Sequence, residues 1–288
     1  MVFPIHICAV GLRGANFLAG LVARGVRVSA ISYYLQPDDQ SASHLAIAKI
    51  AAEIDVPVRT TRHPDFPKEG LTFVVGWQYL FYECPTNVIV FHDSLLPRYR
   101  GFAPTVTALL NGDSVIGVTA LRPSSKVDAG PIFAQQRITI VYPAKIEHVL
   151  RQQSAAMVEL AHNLVQQARN GALSTIDQDE SRASYSLWRD ELDYRIDWTQ
   201  SSSQIKRMID AVGYPYGGAK TRVGDREILV EDASVVDDLT YERRDAGKVW
   251  RLENGCPVIV CGTGMLRLDR FQFCTGNDSS LKLRSRFQ

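Results

Sequence analysis

The first part of the chain alternates short runs that are apolar throughout with longer segments whose apolar positions recur every three or four residues. Ile5 to Val10 predicts a strand buried on both faces. Gly11-Leu-Arg-Gly14 then opens a helix that runs through Arg24. Val26 to Tyr34 predicts a second strand. The spacing of Leu45, Ile47, Ile50 and Ala51 predicts a helix over Ala42 to Asp55. Val56-Pro-Val58, Phe73-Val-Val75 and Asn87 to Phe91 are further strands. Strands without polar alternation, separated by helices, indicate a parallel sheet covered on both faces. The expected fold class is therefore α/β, an open, mostly parallel, Rossmann-like sheet. Pro104 to Leu110 is a short helix that begins on proline, which suits a first turn. Val115 to Leu121 and Arg137 to Val141 predict two more strands. A long amphipathic helix covers Lys145 to Asn170, burying Val149, Met157, Leu160 and Leu164, and Gly171 ends it as a left-handed cap.

Beyond residue 176 the pattern changes. Polar and aromatic residues mix over 177–201, with Trp188 and Trp198 expected to anchor a linker against the first domain. Ser202 to Val212 predicts a helix. About five short strands separated by glycine turns follow, which predicts a small C-terminal β-barrel of OB-like kind. The expected organisation is a catalytic domain over 1–176, a linker over 177–201 and a β-rich domain over 202–288.

Composition narrows the picture. The 288 residues carry 32 basic and 31 acidic side chains, a net charge of +1, which argues against a protein that lives on phosphate backbones. The five cysteines, at 8, 84, 256, 261 and 274, form no Cys-x-x-Cys pair, so neither a disulfide framework nor a zinc site is expected. The N-terminus lacks the pattern of a secretory signal. The absence of a run of roughly 18 apolar residues argues against a membrane span. A cytoplasmic protein is the expectation, and a homodimer follows only from the general prevalence of twofold pairs.

The densest chemistry lies at the end of the fifth predicted strand, in Val88-Ile-Val-Phe-His92-Asp-Ser94-Leu-Leu-Pro97-Arg98-Tyr-Arg100-Gly101. Open α/β sheets bind ligands outside the carboxyl ends of their strands. A second turn, Val127-Asp128-Ala-Gly-Pro131, brings a carboxylate 128 − 92 = 36 residues after the histidine. Alone, His92 reads as a hydrogen-bonded strand-end residue and Asp128 as a turn cap. Together they suit proton transfer, the histidine as base and the aspartate setting its charge.

These segments, with Ala103-Pro104, Asn111-Gly-Asp113 and Gly117-Val-Thr119, resemble the N10-formyltetrahydrofolate-dependent formyltransferases. That family includes methionyl-tRNA, glycinamide ribonucleotide and sugar N-formyltransferases. Ile196-Asp-Trp198 and Tyr214-Pro-Tyr216-Gly-Gly-Ala219 extend the resemblance towards the linker and barrel of the methionyl-tRNA group. The resemblance implies that a primary amine attacks the formyl carbon of N10-formyltetrahydrofolate, with His92 and Asp128 as catalytic residues. It implies a folate pocket at Gly76, Trp77, Tyr79 and Phe81, with Leu95, and with Ser124 to Val127 as the facing wall. Ser94, Arg98, Arg100 and Gly101 are expected to meet the amine substrate, the arginines by binding an anion.

One position departs from the family. An asparagine two residues before the histidine would donate to the oxyanion, and here that place holds Val90. Loss of one such donor costs about 3–4 kcal/mol in other acyl-transfer sites. Either His92 and a backbone N–H hold the oxyanion alone, or another side chain does, or the protein is slow or non-catalytic. The tRNA enzymes of the family carry a basic insertion early in the first domain. The corresponding stretch here, Leu35 to His44, is short and acidic and would repel phosphates. The expected amine is therefore small, foremost that of a nucleotide-linked amino sugar for a surface polysaccharide. An amino-acid or hydroxyornithine amine stays open, and tRNA is disfavoured.

Overall fold

The computed structural model describes residues 3–36, 40–79, 81, 85–275 and 281–288. The chain forms two compact units, the first made of Met1–Thr105, Ser114–Ile140 and His148–Trp188, the second of Val106–Asp113, Val141–Glu147 and Arg189–Gln288.

The first unit is built on a seven-stranded sheet. In chain order the strands are β1 (Ile5–Ala9), β2 (Ala30–Tyr33), β3 (Val58–Thr60), β4 (Leu71–Val75), β5 (Val88–His92), then β7 (Val115–Leu121) and β8 (Ile132–Thr139). A two-residue strand, β6 (Arg100–Gly101), intervenes and lies outside this sheet. The spatial order is β3-β2-β1-β4-β5-β7-β8. The pairs from β3 through β5 are parallel, and β7 and β8 join antiparallel. The chain leaves β1 towards β2 and later returns to its other side at β4, so the order reverses there. Ligands of open α/β sheets bind at such switch points.

Helices α1 (Gly11–Ala23) and α4 (Ile146–Arg169), the latter following the short α3 (Pro104–Asn111) in the chain, supply Phe17, Leu18, Leu21, Met157, Ala161 and Leu164 to the core on one side of this sheet. Ile89 and Phe91 of β5 point into this core. Gly171 takes φ +67° just beyond α4, as a left-handed cap requires. Helix α2 (Ser43–Glu53) buries Ile47 and Ala51, while Leu45, expected inside, is exposed.

The polypeptide around 180 still belongs to the first unit. Strand β9 (Tyr185–Ser186) pairs in parallel with β6. Trp188 is exposed, so it does not anchor this stretch as expected. Trp198, expected to anchor the linker against the first domain, is instead buried within the second unit, where its Nε1 donates to Thr221 at 2.8 Å. The second unit contains a five-stranded antiparallel sheet of β10 (Ala219–Val223), β11 (Arg226–Val236), β12 (Val249–Glu253), β13 (Cys256–Val260) and β14 (Met265–Phe273), in the order β10-β11-β14-β13-β12. Helix α5 (Ser202–Val212) packs on it, started by a reciprocal capping box between Ser201 and Gln204.

Candidate active site

His92 is the last residue of β5 and is nearly buried. Side chains alternate along a strand, so His92 shares a face with Val90 and Val88 while Phe91 enters the core opposite. The turn after His92 is held from several sides. Thr119, on the neighbouring β7 and in register with His92, is wholly buried. Its hydroxyl donates to the Ser94 carbonyl at 2.7 Å and accepts from the Leu96 N–H at 3.1 Å and from Gln135 Nε2 at 2.8 Å. Gln153 of α4 donates to the Asp93 carbonyl at 3.1 Å and to that of Gly117 at 3.2 Å. A side chain at Gly117 would run into Leu95, which explains a glycine there. Asp93 itself is ion-paired with Arg13 in the first turn of α1.

The turn then delivers the Tyr99 carbonyl to His92 Nε2 at 2.8 Å. Tyr99 has φ +60°, an unfavourable backbone for a bulky residue, and its N–H is fixed by Ser184 at 3.0 Å. A carbonyl can only accept, so the Nε2 that meets it carries the hydrogen. In the neutral ring Nδ1 is therefore the free base. That atom lies 3.5 Å from the Asp128 carboxylate.

Asp128 is reached from the turn after β7. It sits in the left-handed region at φ +50°, which aspartate tolerates better than most residues. Its Oδ2 accepts from the Gly101 N–H at 2.8 Å. Gly130 is small by necessity, since a Cβ there would land on the Arg122 carbonyl oxygen. The two loops expected to supply the catalytic pair thus meet.

Around Val90 the surface is apolar. Val90, Trp77, Phe81 and Phe66 pack against Cys8, Val74 and Val88. Gly76, at φ +73°, lies so close to the Val10 carbonyl oxygen that a Cβ would collide with it. The indole of Trp77 meets Tyr34 edge-on at 4.9 Å, and its Nε1 is buried without a partner among the described residues. Tyr79 is exposed, 5.2 Å from Tyr34 and beneath the Arg62 guanidinium. Val127 is exposed on the Asp128 turn, and the Ser124 hydroxyl donates to the Lys126 carbonyl. Residues 80 and 82–84, beside Phe81, lie outside the described residues.

The placements of the expected substrate contacts diverge. Arg98 is exposed over the Tyr99 ring. Gly101 faces Asp128 through its N–H. Ser94 is buried, and its hydroxyl donates to the Arg98 carbonyl at 2.6 Å. Arg100, expected to bind an anion at the surface, has a side chain only 1% exposed. It donates Nε and Nη2 to Gln178 Oε1 at 3.1 and 2.8 Å, and Nη1 and Nη2 to the Glu180 carboxylate at 2.9 and 2.7 Å. These bonds hold the Glu180 carboxyl below its ordinary range. Arg100 is an internal strut, and Ser94 shapes the turn. The sequence reading missed Gln135, Gln153, Gln178 and Glu180, whose relevance comes from contacts between distant segments.

Two family profiles match the chain, one described as formyl transferase over residues 78–165 and one as formyl transferase, C-terminal domain, over 190–283. The chain belongs to the formyltransferase family. Among solved structures of this fold it is similar to WlaRD, a sugar 3N-formyl transferase determined with dTDP and 5-N-formyl-THF. Identity is 15%, the TM-score is 0.69, and the match covers 96% of this chain and 100% of that one. HypX from Aquifex aeolicus, in complex with tetrahydrofolic acid, matches at 17% identity and a TM-score of 0.66, over 94% of this chain and 44% of that one. The methionyl-tRNA formyltransferase of Clostridium thermocellum matches at 13% and 0.58, over 95% and 100%. Likeness at these identities establishes the formyltransferase fold without selecting an acceptor. No helix among the described residues is long and apolar enough to cross a membrane.

Proposed function

We propose that the protein transfers the formyl group of N10-formyltetrahydrofolate to the primary amine of a nucleotide-linked amino sugar. The observation that carries the reading is the pairing of His92 Nδ1 with Asp128 at 3.5 Å while Nε2 is committed to the Tyr99 carbonyl at 2.8 Å. This arrangement leaves one base, at a defined atom, beside one carboxylate.

The residues on the Val90 face suit a pteridine. Trp77, Phe81 and Val90 offer an apolar wall, and the unpartnered Trp77 Nε1 offers a donor. Gly76, Tyr79, Leu95, Ser124 and Val127 complete the proposed folate pocket. The bound folate supplies an activated one-carbon unit at the acyl oxidation level. His92 Nδ1 takes a proton from the attacking amine as the amine binds the formyl carbon, the imidazolium so formed faces the Asp128 carboxylate, and the proton is returned to N10 as the C–N10 bond breaks, leaving the formamide and tetrahydrofolate. The Gly101 N–H holds that carboxylate in place. Valine offers no donor to the formyl oxygen at position 90, so the protonated imidazole takes a larger share of the developing charge.

The sugar acceptor is supported by the similarity in plan to WlaRD and by the acidic composition of 35–44, whose residues 37–39 lie outside the described set. Arg98 and Gly101 are the proposed acceptor contacts. A second reading, a non-catalytic family member, is favoured by the apolar surroundings of Val90. The purified chain, given N10-formyltetrahydrofolate, would be offered dTDP-amino sugars, hydroxyornithine and methionyl-tRNA, with formylated product read by mass spectrometry. Product from an amino sugar alone is expected. Product from tRNA alone overturns the acceptor, and no product from any amine overturns the activity.

A further inference from the structure

We infer that Gln178 is a positioning residue for Asp128, and that Arg100 and Glu180 hold Gln178 to that task. The inference rests on the catalytic roles proposed for His92 and Asp128. Gln178 Nε2 donates to the Asp128 carbonyl and to the Gly130 carbonyl, each at 2.8 Å. Both hydrogens of its amide thus grip the backbone of the turn that carries the carboxylate. Its Oε1 is turned towards Arg100, which donates two of its N–H groups there. An arginine has no acceptor, so this contact also fixes which end of the amide faces the turn. Glu180 engages Arg100 in a bidentate pair, the geometry that best locks a guanidinium.

The backbone of Arg100 closes the circuit. The next residue, Gly101, gives its N–H to Asp128 Oδ2, and β6 is fixed against β9. The carboxylate is therefore held by the Gly101 N–H, and its own backbone by Gln178, with Arg100 joining both supports. Asp128 sits in a left-handed conformation, so its turn is not kept by local preference alone. A carboxylate facing His92 at 3.5 Å needs such support, because an error near 1 Å costs about a hundredfold in rate.

The test compares Gln178→Met, which keeps volume and removes both amide functions, with Gln178→Ala, each alone and combined with Asp128→Asn. Arg100→Lys, which cannot span Gln178 and Glu180 in a fork, is the third variant. About tenfold or greater loss of kcat, with KM for formyl-folate nearly unchanged, is expected in all three. In the Asp128→Asn background the same substitutions should cost less than about twofold, because the group they position no longer acts. A purely structural role would lower Tm and give the same loss in both backgrounds, which would overturn the inference.

A readout independent of turnover separates this from the proposed activity. The ring nitrogens of His92 are followed by NMR without substrate. Gln178→Met should move the Nδ1 resonance and leave Nε2, tied to Tyr99, in place. If both resonances stay unchanged the strut does not position Asp128, whatever the reaction. If Nδ1 moves in a protein that formylates no amine, the strut stands and the activity falls.

Discussion

The Tyr99 carbonyl accepts from His92 Nε2 at 2.8 Å, and this contact decides which ring nitrogen is the base. His92→Gln keeps a donor for that carbonyl but has no basic atom. It should lower kcat by about 10²–10⁴ while changing Tm little. Formyl-transfer kinetics beside a thermal melt check this, and an unimpaired variant would remove the imidazole from the chemistry.

Val90 makes the opposite kind of prediction. Val90→Asn would restore a donor two residues before His92, on the same strand face. It should raise kcat by up to about 10²–10³ if the formyl oxygen lacks a partner. The new amide would also enter the apolar wall formed with Cys8, Val74, Val88, Trp77 and Phe81, so stability should fall by about 1–3 kcal/mol. Steady-state rates and urea unfolding separate the two effects. A variant that is less stable and no faster would show that the oxyanion is already held.

Thr119 is the buried hub of the turn that follows His92. Thr119→Val keeps the shape and removes the hydroxyl that serves Ser94, Leu96 and Gln135. Stability should drop by about 1–3 kcal/mol for the groups left unsatisfied. Activity should drop as well, since the same turn carries the Tyr99 carbonyl. Unchanged unfolding in urea would contradict the hub.

His6 on β1 gives a pH dependence. It is buried, with Nε2 against the Ser32 hydroxyl at 3.0 Å and Nδ1 without a partner among the described residues. Burial pushes the imidazole below its ordinary value of 6.5, and the Arg59 charge adds to this while Asp65 opposes it. The folded state thus keeps the ring neutral where the unfolded chain takes up a proton. Stability is complete above the ordinary value and falls as pH drops below it. The slope is at most about 1.4 kcal/mol per pH unit, until the folded ring also protonates. His6→Asn should flatten the decline of Tm between about pH 6.5 and 5; an equally steep decline would place its cause in other groups.

The sheet was legible because β1, β4 and β5 are mostly apolar and buried on both faces. The start of β8 was not. Its Gln135, Gln136 and Arg137 lie on an edge strand with one partly solvated face, so Ile132–Thr139 lacks the uniform apolar signature. His92 and Asp128 were legible because each ends a strand or fills a turn beside a recognisable motif. Arg100 was misjudged, because the sequence shows a charged residue in a turn and hides the Gln178 and Glu180 that bury it. Those partners lie 78 and 80 residues away, beyond the reach of any local pattern.

The positive φ of Asp128 limits how the proposed chemistry could be lost through that position. Glycine adopts that conformation freely, asparagine and aspartate adopt it with a smaller penalty than other residues, and branched or bulky residues do so least readily. Asparagine is also one nucleotide from aspartate in the genetic code. A descendant silenced through this position and still folded should therefore carry asparagine or glycine there, and its outline would look intact while its charge was gone.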